Sequence, residues 1–120
     1  MPTVTQQGDV SIFCPNVDEK TIDSAVAAEI DVHVFHLAGQ AEPPWIVIDM
    51  RNVVFLGSAF LEVLLAAWKR LKERRGRLAI CGLTPLCAEV FRVTKLDTLW
   101  ELYPDRDTAV AALAQPAPAA

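Results

Sequence analysis

The sequence predicts an α/β fold, a mixed β-sheet of four or five strands with about four helices packed on it. Three observations predict it. Short β-rich runs, Val10 to Cys14, Ile46 to Met50 and Arg77 to Gly82, alternate with longer segments whose apolar residues recur at helical spacing. Turn, cap and breaker residues stand between them, at Gly8-Asp9, Pro43-Pro44, Gly76 and Thr84-Pro85. The chain has 120 residues, 52% apolar and 22% charged, which suits one domain with a core of its own. Residues 1–114 form that domain, and the Pro/Ala-rich tail 115–120 is predicted to be mobile.

The elements follow in order. Thr3 to Gln7 and Val10 to Cys14 read as two strands of a hairpin turning at Gly8-Asp9. Pro15-Asn16 stops the second strand. Asp18 suits a helix cap, and Ile22, Val26, Ile30, His33 and Leu37 mark one face of a helix to about Ala38. On that stripe His33 reads as a packed or half-exposed histidine ahead of a catalytic one, while His36 points outward. Gly39 to Pro44 is a loop, because two prolines forbid helix continuation.

Ile46 to Met50 is then a strand covered on both faces. Arg51 to Leu56 carries the chain across, and Gly57-Ser58 opens a helix with Leu61, Leu64, Leu65, Trp68 and Leu71 on one stripe. Its basic end, Lys69 to Arg75, suits the negative pole of the helix dipole, and Gly76 suits a left-handed cap. Arg77 to Gly82 is the next strand. Thr84-Pro85 starts a helix carrying Leu86, Val90, Phe91 and Val93. Leu99 to Tyr103 is the last strand, and Asp105 caps a final short helix with Val110 and Leu113 on its face. The order β-β-α-β-α-β-α-β-α calls for right-handed crossovers between the later strands.

Composition excludes several function classes. A net charge of −4 argues against nucleic acid and against an anionic membrane surface as partners. No apolar run reaches spanning length, and the N-terminus has neither the basic start nor the apolar core of a leader, so a cytoplasmic protein is expected. Cys14, Cys81 and Cys87 form no Cys-x-x-Cys pair and read as small buried hydrophobes. With His33 and His36 alone near each other, no metal site is expected. Neither paired carboxylates nor a Ser-His-Asp set nor a Gly-rich phosphate loop stands at usable spacing, and Ser58 lacks a Gly-x-Ser-x-Gly elbow. No catalytic residue and no cofactor is therefore assigned. One chemically distinctive group remains. The Ser58 hydroxyl sits at a helix start, where unpaired N–H groups and the positive dipole end favour an anion, so it is a candidate carrier of a phosphate; the plain alternative is a helix cap.

Three stretches, Ile48 to Leu61, Gly76 to Pro85 and Phe91 to Trp100, stand in register and together resemble the STAS domain (sulphate transporter and anti-sigma factor antagonist) in its stand-alone bacterial form. Ile48 to Leu61 is similar to "IDLS-x-V-x-F-x-DSSGL", Gly76 to Pro85 to "GG-x-L-x-L-x-G-x-x-P", and Phe91 to Trp100 to "L-x-x-x-GL-x-x-x-F". The resemblance implies a STAS-like mixed sheet and an anti-sigma factor antagonist that regulates transcription by switching partners. Its implied partners are an anti-sigma factor that is a serine kinase of the histidine-kinase-like ATPase class, and a phosphatase. A second copy of the chain is a further candidate partner. Ser58 stands where the family carries its phosphoacceptor. Around it the pattern changes: Gly57 replaces the aspartate, Ala59 the second serine and Phe60 the glycine, and of the earlier "G-x-L-D" only Asp18 is kept. The expected partner surface comprises Asp18, Gly57, Ser58, Phe60 and Glu62. On a helical wheel Phe60 is either the edge of the core or an exposed anchor. The alternative function is a STAS scaffold that binds partners without being phosphorylated.

Overall fold

Gly8 takes φ +61° at the first central position of a two-residue turn, a conformation that glycine adopts without strain. That turn joins β1 (Thr3–Gln7) to β2 (Val10–Cys14), antiparallel, with Gln7 opposite Val10. The computed structural model describes residues 3–15, 20–51 and 53–114. After β2 come β3 (Lys20–Ile22), α1 (Ser24–Gln40), β4 (Trp45–Asp49), β5 (Val53–Leu56), α2 (Ser58–Glu73), β6 (Arg77–Cys81), α3 (Pro85–Val93), a 3-10 turn at Leu96–Thr98, β7 (Glu101–Tyr103) and α4 (Arg106–Leu113).

Five strands form one sheet in the order β1-β2-β4-β6-β7, parallel except for β1. The interior strands are covered on both faces, which is why β4 and β6 read as nearly unbroken apolar runs. Phe13, Ile46, Ile48, Leu78 and Ile80 face α1 and α2. Val10, Ile12, Val47, Ala79 and Cys81 face Ala109 and Leu113 of α4. The result is three layers: α4, the sheet, and the α1–α2 pair. β3 and β5 pair with each other, parallel, in a separate two-stranded sheet.

Several expectations need correction. The span Arg51 to Leu56 is not a plain connection, since Val53 to Leu56 forms β5. Its partner β3 lies before α1, more than thirty residues away in sequence, so no local pattern announces the pairing. Because Ile22 belongs to β3, the first helix starts at Ser24. Asp23 is its cap, its carboxylate accepting from the Val26 N–H at 2.9 Å. Asp18, expected to cap that helix, lies outside the described residues, as does the tail 115–120. The buried face of α1 is Ala27, Ile30, Val34 and Ala38, which turns His33 to the surface; His36 is exposed as expected. Two alanines at close-packed positions carry little apolar signal, so the stripe of large residues missed that face.

In α2 the buried stripe is Phe60, Val63, Leu64, Ala67 and Leu71, one residue round from the expected one. Leu61, Leu65 and Trp68 are half-buried at its rim. The left-handed residue after α2 is Arg75 (φ +57°), and Gly76 N–H and Arg75 N–H bond back to Leu71 O and Lys72 O. Gly76 is needed for a different reason: a Cβ there would collide with the Pro44 carbonyl. Leu99 precedes rather than joins β7, and Cys14 is half-buried where full burial was expected.

Candidate functional site

β5 delivers the chain to the start of α2. Gly57 caps the helix in extended geometry (φ −99°, ψ 178°), its N–H donating to Ile22 O at 3.2 Å. The short β3–β5 sheet therefore fixes the point at which α2 begins. Ser58 is the first helical residue and is exposed; α2 has no side-chain cap bond. The plain-cap reading of Ser58 is thereby corrected. Its hydroxyl stands at the positive end of a sixteen-residue helix without being consumed in closing it.

Glu62 lies one turn further on the same face and is exposed. Ala59 and Glu62 border a shallow groove of about 250 Å³ between α2 and α1, whose opposite bank carries Ser24 and Asp31. Gly57 is half-buried, and a Cβ added there would meet only Ile22 O, at an ordinary 3.8 Å. Glycine is thus not required at the cap, and a carboxylate-bearing residue would fit the backbone. Phe60 points the other way. It is 0% exposed, packed in the core under α2, so its side chain forms no part of the surface around Ser58. Of the five expected contact residues, Gly57, Ser58 and Glu62 are brought together, Phe60 is turned inward, and Asp18 lies outside the described residues.

Val54 went unread in the sequence, and Leu86 and Val93 were placed on the apolar stripe of their helix, whereas the buried residues of α3 are Cys87 and Phe91. Val54 of β5 and Leu86 at the start of α3 are 44% and 52% exposed. The two elements are tied together by Thr84, which accepts from the Cys87 N–H and donates its hydroxyl to Val54 O at 3.3 Å. All four residues of Val53–Leu56 are apolar and their burial does not alternate, so no pattern in the sequence marks Val54 as the exposed one.

Elsewhere the buried ionisable groups Asp49, Cys81 and Cys87 are structural. Asp49, 1% exposed at the end of β4, accepts from Arg106 Nε and Nη2 at 3.0 and 2.8 Å and from the Arg51 backbone N–H at 3.1 Å. Burial, aided by the Asp49 charge, pushes the neighbouring Cys81 thiol up to about 12, and burial also raises Cys87. Both are held as unreactive thiols. Among the described residues no cluster of His, Cys, Asp and Glu has the makings of a metal site, and no helix is long and apolar enough to cross a membrane.

The STAS domain family model matches residues 1–109. A solved anti-sigma-factor antagonist (STAS) domain protein from Planctomyces limnophilus is 32% identical and superposes with a TM-score of 0.85, over 93% of this chain and 96% of that one. An anti-sigma factor antagonist from Mycobacterium paratuberculosis is 28% identical with a TM-score of 0.81, over 96% and 94% of the two chains. The anti-sigma-B factor antagonist of Listeria monocytogenes is 29% identical over 101 residues, 78% of this chain and 89% of the relative. With its fold, its register of motifs and these matches agreeing, the chain belongs to the STAS domain family.

Proposed function

We propose that this chain is an anti-sigma factor antagonist, a regulatory binding module rather than an enzyme. It acts in the cytoplasm by switching partners at the start of α2. Its binding face comprises Gly57, Ser58, Glu62 and the adjoining groove, with Val54 and Leu86 as apolar contacts and Asp18 as a further contact. Its partner is an anti-sigma factor that is also a serine kinase of the histidine-kinase-like ATPase class, and a phosphatase resets the switch. The observation that supports this most is the exposed Ser58 hydroxyl at the first position of α2, in a chain whose relatives are named as antagonists.

The physics suits a switch that spares the fold. A phosphate on Ser58 adds about −1.5 to −2 charges and three strong acceptors. At the helix N-terminus the dipole favours that charge by about 0.3–1 kcal/mol. On the partner side the same charge must be desolvated, and beside Glu62 it meets a like charge. The modification therefore opposes the interface while the domain stays folded. The test is intact mass spectrometry of the full chain after incubation with ATP and the cognate kinase. A gain of about 80 Da on the wild type, mapped to Ser58 and missing from Ser58→Ala, is the expected result. An unchanged mass would remove the switch and leave the phosphorylation-independent scaffold.

A further inference from the structure

The two edges of the main sheet are built differently. β7, at one edge, has three residues and carries Glu101, which is paired with Arg77. β1, at the other, has five residues, all exposed, and no charge, proline or bulge: Thr3-Val4-Thr5-Gln6-Gln7. Natural sheets usually guard such an edge, because its outward N–H and C=O groups are a template for another strand. In the β1–β2 hairpin Gln7 and Val10 close the turn as a hydrogen-bonded pair, so by alternation the backbone groups of Val4 and Gln6 point away from β2.

Beside this edge lies an open apolar hollow of about 600 Å³, lined by Val4, Val32, Phe35, Leu37 and the histidines 33 and 36. Val4 and Val32 are 51% and 70% exposed. The hollow also carries one charge of each sign, Asp31 and Arg70. Among the described residues neither makes an ion pair within the chain. The Arg70 guanidinium instead lies over the Phe35 ring at 4.3 Å, in space that a side chain at Gly39 would fill. A strand edge, an apolar patch and a pair of opposite charges that recur on one surface are what a twofold interface needs, because each copy must complement itself.

We propose that two copies of this chain associate through β1, antiparallel about Thr5, into a continuous ten-stranded sheet. Val4 of one copy pairs with Gln6 of the other, giving four backbone hydrogen bonds. The twofold axis stands perpendicular to the sheet, so both α1 helices lie on one face. Val32 and Phe35 then meet their counterparts, and Asp31 of each copy faces Arg70 of its partner. This surface meets the proposed switch face only at Asp31, which stands on the far bank of the groove beside Ala59 and Glu62. Arg70 is twelve residues along α2 from Ser58, about 18 Å at helical rise, so a dimer leaves the Ser58 end open.

The test is sedimentation equilibrium of the full chain, with Val4→Lys and Val32→Lys as variants at exposed positions that the fold does not need. The wild type is expected to reach twice the chain mass at micromolar concentration, with each variant raising the dissociation constant at least about tenfold at unchanged melting temperature. Arg70→Asp and Asp31→Arg should each weaken the dimer and restore it when combined. Hydrogen exchange should protect the Val4 and Gln6 amides in the dimer only. A wild type that stays monomeric to millimolar concentration overturns the proposal. Lysine variants that dimerise as well as wild type, or Val4 and Gln6 amides that exchange equally fast at all concentrations, do the same.

Discussion

Phe60 shows how one side chain separates core from interface. From the sequence it could stand at the edge of the core or project as an anchor, since the helical wheel leaves it beside Leu64 and Leu71. The buried stripe at 60, 63, 64, 67 and 71 resolves this, with Phe60 among the fully buried side chains. Phe60→Ala should therefore cost about 3–5 kcal/mol in urea unfolding, as truncation of a buried aromatic does. A loss below about 1 kcal/mol would mean that Phe60 is not core. Lys95 gives a second lesson at this scale. It stands where the family pattern has glycine and takes φ +61°, the conformation that glycine adopts most cheaply. The turn was not read in the sequence, because a lysine carries no turn signal of its own; the glycine of the family pattern at this position is the signal that could have marked it.

Among the elements, those held by local signals were legible and those held by distant partners were not. The hairpin turn, the Thr84-Pro85 start of α3 and the Asp105 cap of α4 are written within four residues of where they act. The Asp105 carboxylate accepts from Thr108 N–H at 2.8 Å, and that bond holds its pKa below the usual carboxylate range. By contrast, β3 and β5 exist only because they pair with each other, so neither was read as a strand. Asp49 was read only as a member of the Ile46 to Met50 strand and of the Ile48 to Leu61 motif. In the fold it is the anchor that fastens α4 to the sheet through Arg106, fifty-seven residues away. Arg106→Ala leaves that buried carboxylate with Arg51, which is largely exposed. A full loss of partner to a buried charge costs about 3–5 kcal/mol, and the remaining partner brings the expected cost to about 2 kcal/mol, near 8 °C in melting temperature. An unchanged melting curve would show that α4 is held by Ala109 and Leu113 alone.

At the scale of the whole molecule, the fold separates tasks by place. The five-stranded sheet with α4 on one face and α1–α2 on the other holds the two cores of the domain. The small β3–β5 sheet sets the start of α2, where an exposed hydroxyl, a carboxylate one turn on and a shallow groove come together. The serine and its helix start were legible because family spacing and the strand-to-helix transition coincide there. The apolar flank of Val54 and Leu86 was not, since it is assembled from two elements thirty residues apart. The central claim, that charge at position 58 opposes partner binding without disturbing the fold, is tested most directly by titrating a purified anti-sigma partner with wild type, Ser58→Ala and Ser58→Asp. Ser58→Ala should bind like wild type. Ser58→Asp should bind at least about tenfold more weakly, or 1.4 kcal/mol, and melt within a few degrees of wild type, because an acid in the first turn suits the helix dipole. Equal binding by Ser58→Asp and wild type, with both folded, would contradict the account.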